Sequence, residues 1–272
     1  MQCLRWISFC IMEPGVRWFV HFLPSGGNVT PPYPAECRLK VFQDGWGERT
    51  VLLEGAKLSQ PDGVGVLDAF PELFESPAGV YGLVIELSTK QPRTDLTASG
   101  CIMEYEREGG TTKFIPHALF SNTDSEEGTA STNSVEDVIK EGNVKPSALA
   151  PLFGDAFIQS SLVAVNASEA GLIPGLQAWN GGSELVSISE ILREADRDNA
   201  NRDNANQDNA ARVLASLSAK ELHVEYGTDT NASCCTGVID TSHSESERAY
   251  FIVDRDVSSG QIMSIRSLGE RG

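Results

Sequence analysis

About seven short apolar segments, separated by turn signals roughly every 8 to 15 residues, fill the stretch from Val16 to Leu119. That spacing leaves little room for long helices and predicts antiparallel strands joined by tight turns. Val16–Leu23 is apolar and aromatic and stops at the Pro- and Gly-rich stretch Pro24–Pro34. Cys37, Leu39 and Val41 alternate with Arg38 and Lys40, the period of a half-buried strand. Asp44-Gly45-Trp46-Gly47 turns the chain into Arg49–Glu54, and Pro61-Asp62-Gly63 precedes a short segment at Val64–Leu67. Leu83, Ile85 and Leu87 set the phase of Val80–Thr89, and Cys101, Met103 and Tyr105 set that of the next strand. Glu108-Gly109-Gly110 then makes a hairpin into Thr111–Leu119.

The expected fold class is therefore mostly β. An antiparallel β-sandwich over 14–122 is followed by an acidic linker or long loop at 123–150. A second β-rich domain at 151–272 carries a helical, Asp/Asn-repeat insertion at 187–221. A single larger sandwich with long insertions is the alternative arrangement. Strands are expected in the second half at Phe157–Val165, Leu222–Tyr226, Arg248–Asp254 and Gln261–Leu268. Ser187 and Glu190 suit a capping box ahead of a helix at Ile188–Ala195, and Val213, Leu214 and Leu217 have helical spacing within Ala210–Lys220. Between them runs a repeat of Asp-Asn-Ala units that has no large apolar residue to build a core, so it reads as a solvent-exposed insertion.

Charge narrows the function. The chain has 38 acidic and 21 basic side chains, a net charge of −17, and no cluster of Lys and Arg, which excludes a nucleic-acid surface. Residues 1–122 hold 10 basic and 14 acidic side chains, whereas residues 151–272 hold 9 and 18. The N-terminal apolar patch, Met1–Met12, falls short of the roughly 18 residues a membrane span needs and lacks a small-residue cleavage site. It reads as a mature start, or as an extension upstream of an internal start at Met12. With no convincing signal peptide, an intracellular or virion-like assembly context is favoured over secretion.

The usual catalytic signatures are missing: no nucleophile elbow, phosphate loop, zinc-protease helix or dinucleotide fingerprint occurs. Six cysteines in a chain of this length need not form a disulfide framework, and Cys37 and Cys101 sit in phase with apolar neighbours as buried thiols would. Their spacing invites comparison with an immunoglobulin domain, but Trp46 lies in a glycine turn and Ser99 stands where the corner tyrosine would be. The best catalytic candidates are Cys234 or Cys235 with His243 and Asp240, since a thiolate needs an imidazole and an orienting carboxylate. Asp196, Asp198, Asp203 and Asp208 gather oxygen ligands without the order of a calcium loop, so no metal or other cofactor is expected. Asp254-Arg255-Asp256 likewise reads as a charged hairpin end.

Aromatic residues on glycine- or proline-rich loops are the better lead. Trp46, Trp179 and Tyr33 are candidate contacts for a partner or a glycan, because flat rings give large contact area at low entropy cost. The sequence thus points to a non-catalytic β-sandwich interaction or assembly protein, acting on a protein partner or as a homo-oligomer. A carbohydrate-binding module and a cysteine-dependent hydrolase are the alternatives.

Overall fold

The apolar segments pair into four antiparallel sheets in a computed structural model of the chain. The structure describes residues 2–23, 35–58, 60, 62–89, 100–120, 148–154, 156–168, 176–179, 185–187, 217–223, 234–239 and 247–268. The chain is mostly β, as the strand periodicity requires.

The first sheet contains β1 (Gln2–Met12), β3 (Glu36–Gln43), β4 (Gly47–Leu53), β6 (Gly79–Thr89) and β9 (His117–Phe120), in the order β4-β3-β6-β1-β9. The second is β5-β2-β7-β8, with β2 at Val16–Leu23, β5 at Val64–Gly65, β7 at Gly100–Arg107 and β8 at Gly110–Phe114. The third is β14-β11-β16-β17, with β11 at Ile158–Asn166, β14 at Ser218–His223, β16 at Arg248–Asp256 and β17 at Ile262–Leu268. The fourth, β10-β15-β12-β13, takes β10 from Ala148–Phe153, β12 from Leu176–Trp179, β13 from Leu185–Ser187 and β15 from Cys234–Ile239.

The N-terminal patch, which the sequence reading sets outside the sandwich, is a strand inside the first sheet. β1 pairs with β6 along its whole length, from Gln2 with Thr89 to Met12 with Gly79. Its apolar residues do not alternate with polar ones because both of its faces are buried: Trp6, Ile7, Ser8, Phe9 and Cys10 all lie inside. On one face Phe9 meets Phe251 of the third sheet at 4.9 Å between ring centroids, and Phe114 and Trp18 of the second sheet at 5.6 and 5.7 Å. Arg5, on that same face by register, pairs with both Glu86 and Glu247. On the other face Tyr81, Ile85, Leu39 and Cys37 are buried. One apolar cluster therefore runs from Leu4 through Phe114 and on to Phe251 and Ile265, crossing the 123–150 connector that divides the chain in sequence.

Three other segments differ from expectation for local reasons. Only Val64 and Gly65 are extended; Val66–Ala69 (α2) turns helical, closed by the Phe70 N–H donating to Val66 O at 2.9 Å. The Asp68 carboxylate folds back over Gly65, in space a Cβ would occupy. Pro116, which lacks an N–H, splits Thr111–Leu119 into β8 in the second sheet and β9 in the first. Ser218–Lys220, whose spacing predicts the end of a helix, begins β14, entered through Leu217 at a left-handed φ of 49°. The predicted helices at 188–195 and 210–216, the 123–147 part of the connector and the Asp/Asn repeat lie outside the described residues.

Gly82 lies opposite both Phe42 and Phe9 on the two neighbouring strands, and a Cβ there would run into the Phe42 ring. Gly82→Ala is expected to destabilise the fold by about 1–3 kcal/mol in chemical denaturation. Phe251→Ala is expected to cost about 3–5 kcal/mol. Hydrogen exchange in the latter should quicken in β1 together with β16, since one core serves both.

Candidate functional site

A cleft of about 260 Å³ opens where the β1–β2 turn meets a short helical segment. The turn is Glu13-Pro14-Gly15: the Val16 N–H donates to Glu13 O at 3.2 Å, and Gly15 takes a left-handed φ of 77° that glycine adopts without strain. Opposite stands the 3₁₀ turn Pro71–Glu75, started by Pro71, whose missing N–H costs nothing there. Met12, Glu13, Val16, Leu67, Leu73 and Phe74 line the cleft.

The 3₁₀ turn is fixed at both ends. Phe70 and Leu73 are buried, and the Leu73 N–H donates to Phe70 O at 3.1 Å. The Ser76 hydroxyl donates to Leu73 O at 2.8 Å, and the Tyr81 hydroxyl to Pro77 O at 2.8 Å. With Leu73 turned inward, Phe74 points to solvent and is 72% exposed. A large aromatic ring is thus displayed on a rigid turn beside a concave apolar surface.

Electrostatics divides the rim. Glu13 is already engaged, with Arg255 at 3.4 Å and Arg107 at 3.8 Å. Arg255 also grips Glu221 through two N–H groups, tying the β1–β2 turn to the third sheet. Glu72 and Glu75, which flank Leu73 and Phe74, are exposed, and among the described residues neither is ion-paired.

Among the described residues, none of those singled out from sequence lines this cleft. Trp46 is half-buried: its ring stands edge-on to Tyr81 at 5.4 Å, and the Arg49 guanidinium covers it at 4.9 Å. It caps the first sheet instead of standing free on its glycine turn. Trp179 ends β12, whose backbone alone is described, and Tyr33 lies outside the described residues. Cys234 and Cys235 open β15, their backbones opposite Phe153 and Leu152. Asp240, His243, Asp196, Asp198, Asp203 and Asp208 lie outside the described residues, and the thiol site and the carboxylate cluster lie outside with them.

Asp254 and Asp256 do not share a metal turn. Asp254 is buried, with the Arg266 guanidinium at 3.0 Å from each of its oxygens and Ser160 donating at 2.6 Å. Asp256 accepts from the Ser258 and Ser259 hydroxyls, which hold its carboxyl below the usual value. Among the described residues no set of three or more His, Cys, Asp or Glu side chains is placed to hold a metal. Cys10, Cys37 and Cys101 are buried thiols, as their phase in the strands predicts for the latter two. Burial raises the value of all three, and the neighbouring Cys37 raises Cys101 further. Asn166, one of three glycosylation sequons, is fully buried in β11.

Phe74 escaped sequence reasoning because Leu73-Phe74 within Pro-Glu-Leu-Phe-Glu looks like an ordinary apolar pair. The available signal was steric, since a single tight turn cannot turn both adjacent side chains inward. No known protein family, no curated protein and no solved structure matches this chain.

Two outcomes follow from the geometry. Phe74→Ser is expected to leave the denaturation midpoint within about 0.5 kcal/mol of the parent, because the ring buries little in the free chain. A large loss would instead show it packed. The buried thiols have folded values raised above the ordinary 9.0, so their contribution to stability is complete below that pH and fades as pH rises beyond it. Denaturation midpoints measured from pH 7 to 11 should decline above about 9, and native alkylation should label Cys3 before Cys10, Cys37 or Cys101.

Proposed function

We propose that this is a non-catalytic β-rich interaction or assembly protein that docks a protein partner at the cleft beside Phe74. The observation that carries the reading is Phe74 itself, 72% exposed on a turn locked by Ser76 and Tyr81. An exposed aromatic ring gains its contact energy when a partner desolvates it, and a rigid turn loses little conformational entropy when that happens. Leu73, Leu67 and Met12 beside it supply an apolar surface into which a partner side chain fits.

The other apolar side chains at the surface support the same class of role. Phe157 is 76% exposed, and its carbonyl accepts from the N–H of Val257, which is also exposed, so the two share one end of the third sheet. Leu52 is exposed on β4, the edge strand of the first sheet. The glycan reading draws less support, since the Trp46 ring that would stack on a sugar is occupied by Tyr81 and Arg49.

Native purification with mass measurement tests the proposal. The parent chain is expected to elute in a complex of fixed stoichiometry, and Phe74→Ser to elute as the monomer with unchanged stability. A monomeric parent chain without a partner, or a complex indifferent to Phe74→Ser, would overturn it.

A further inference from the structure

We infer that the cleft beside Phe74 accepts an apolar side chain carried on a basic segment of a partner protein. This rests on reading the cleft as a docking site and adds the chemistry of its occupant. Three observations point to that chemistry.

Met12, Val16, Leu67 and Leu73 supply the apolar part of a lining that also includes Glu13 and Ser76, and the cleft's volume of about 260 Å³ suits one large side chain and little more. The two exposed charges nearest Phe74 in the chain are of one sign. Glu72 and Glu75 bracket Leu73 and Phe74 in the chain, both are exposed, and among the described residues neither has a cation beside it. Glu13, at the cleft wall, already holds Arg107 and Arg255, so those cations are spent inward and do not neutralise the rim. A partner that covers Phe74 must bring groups up to Glu72 and Glu75, and a cationic group there gains attraction where a neutral one loses hydration.

The whole chain adds to the selection. At a net charge of −17, a second copy approaching the same rim meets repulsion, while a basic segment is drawn in. A homodimer through this face is therefore disfavoured on charge, and a basic, singly anchored segment is the occupant that satisfies both the floor and the rim.

Fluorescence anisotropy with labelled ten-residue peptides tests this on the full chain. One probe has a central Leu flanked by Lys and Gly, a second replaces the Leu by Ala, and two more replace Lys by Gln or by Glu. The Lys–Leu peptide is expected to bind at least about tenfold tighter than the Glu–Leu and Lys–Ala peptides. Its affinity should fall as salt rises from 0.05 to 0.5 M, because exposed charges are screened. Glu72→Gln with Glu75→Gln should weaken it by about three- to tenfold while leaving the Gln–Leu peptide unchanged. Phe74→Ser should weaken both, and chemical shifts should move at Met12, Leu67 and Phe74.

Equal binding of the Lys–, Gln– and Glu–Leu peptides would overturn the basic occupant and leave apolar docking in place. Equal binding of Lys–Leu and Lys–Ala would show charge attraction without an apolar anchor and would also overturn it. Binding by none of the peptides, or shifts confined to another surface, would remove the inference and the docking reading together. A dimer abolished by Phe74→Ser would replace the basic segment with a second copy.

Discussion

The packing of Phe9 holds this structure together. Its ring touches Trp18 and Phe114 of the second sheet and Phe251 of the third, while its backbone pairs with β6 of the first. Gly82, opposite Phe9 on the neighbouring strand, has no side chain, and the Phe42 ring fills the space a Cβ would take. A side chain at Gly82 displaces the Phe42 ring; loss of Phe9 takes from three sheets their common contact. The Trp18 indole N–H completes the arrangement by donating to Ile11 O at 2.9 Å, so the largest ring in the core has its one polar group satisfied.

This burial on both faces explains which parts of the fold could be read from sequence. β2, β3, β7 and β16 have one face or one end more exposed than the other, and their alternation or turn boundaries are visible in the residues. β1 is covered on both sides, so its sequence is a nearly unbroken apolar run that resembles a leader or a loose patch more than a strand. The acidic stretch from 123 to 150 is legible as composition, but composition is silent on whether the segments on either side of it touch. The Phe9–Phe251 contact and the pairing of Arg5 with Glu247 are long-range events that no local pattern encodes.

The candidate site was hidden for a related reason. Trp46 looked free because its neighbours are glycines, yet Tyr81 and Arg49, distant or offset in sequence, supply the packing its own turn lacks. Phe74 forms an apolar pair with Leu73 in sequence, yet a 3₁₀ turn places adjacent side chains about 120° apart and only one can face the core. Exposure of an aromatic residue is set by what the tertiary fold brings over it. The local glycine content that drew attention to Trp46 measures only the room available for the backbone.

Acidity acquires a division of labour in three dimensions. Inside, carboxylates are matched: Asp254 with Arg266, Glu221 with Arg255, Glu104 with Lys113. These pairs use basic side chains from a chain that has few to spare, and among the described residues the surplus includes exposed carboxylates. Glu72 and Glu75 belong to that surplus, and their position beside an uncovered ring gives it a consequence. A carboxylate next to an exposed aromatic lowers the gain from nonspecific apolar contact, because any neutral partner must strip water from the charge as well as from the ring. It leaves the gain intact for a partner that brings a cation. On the docking proposal, the negative charge that keeps such a surface from sticking to itself also selects its partner.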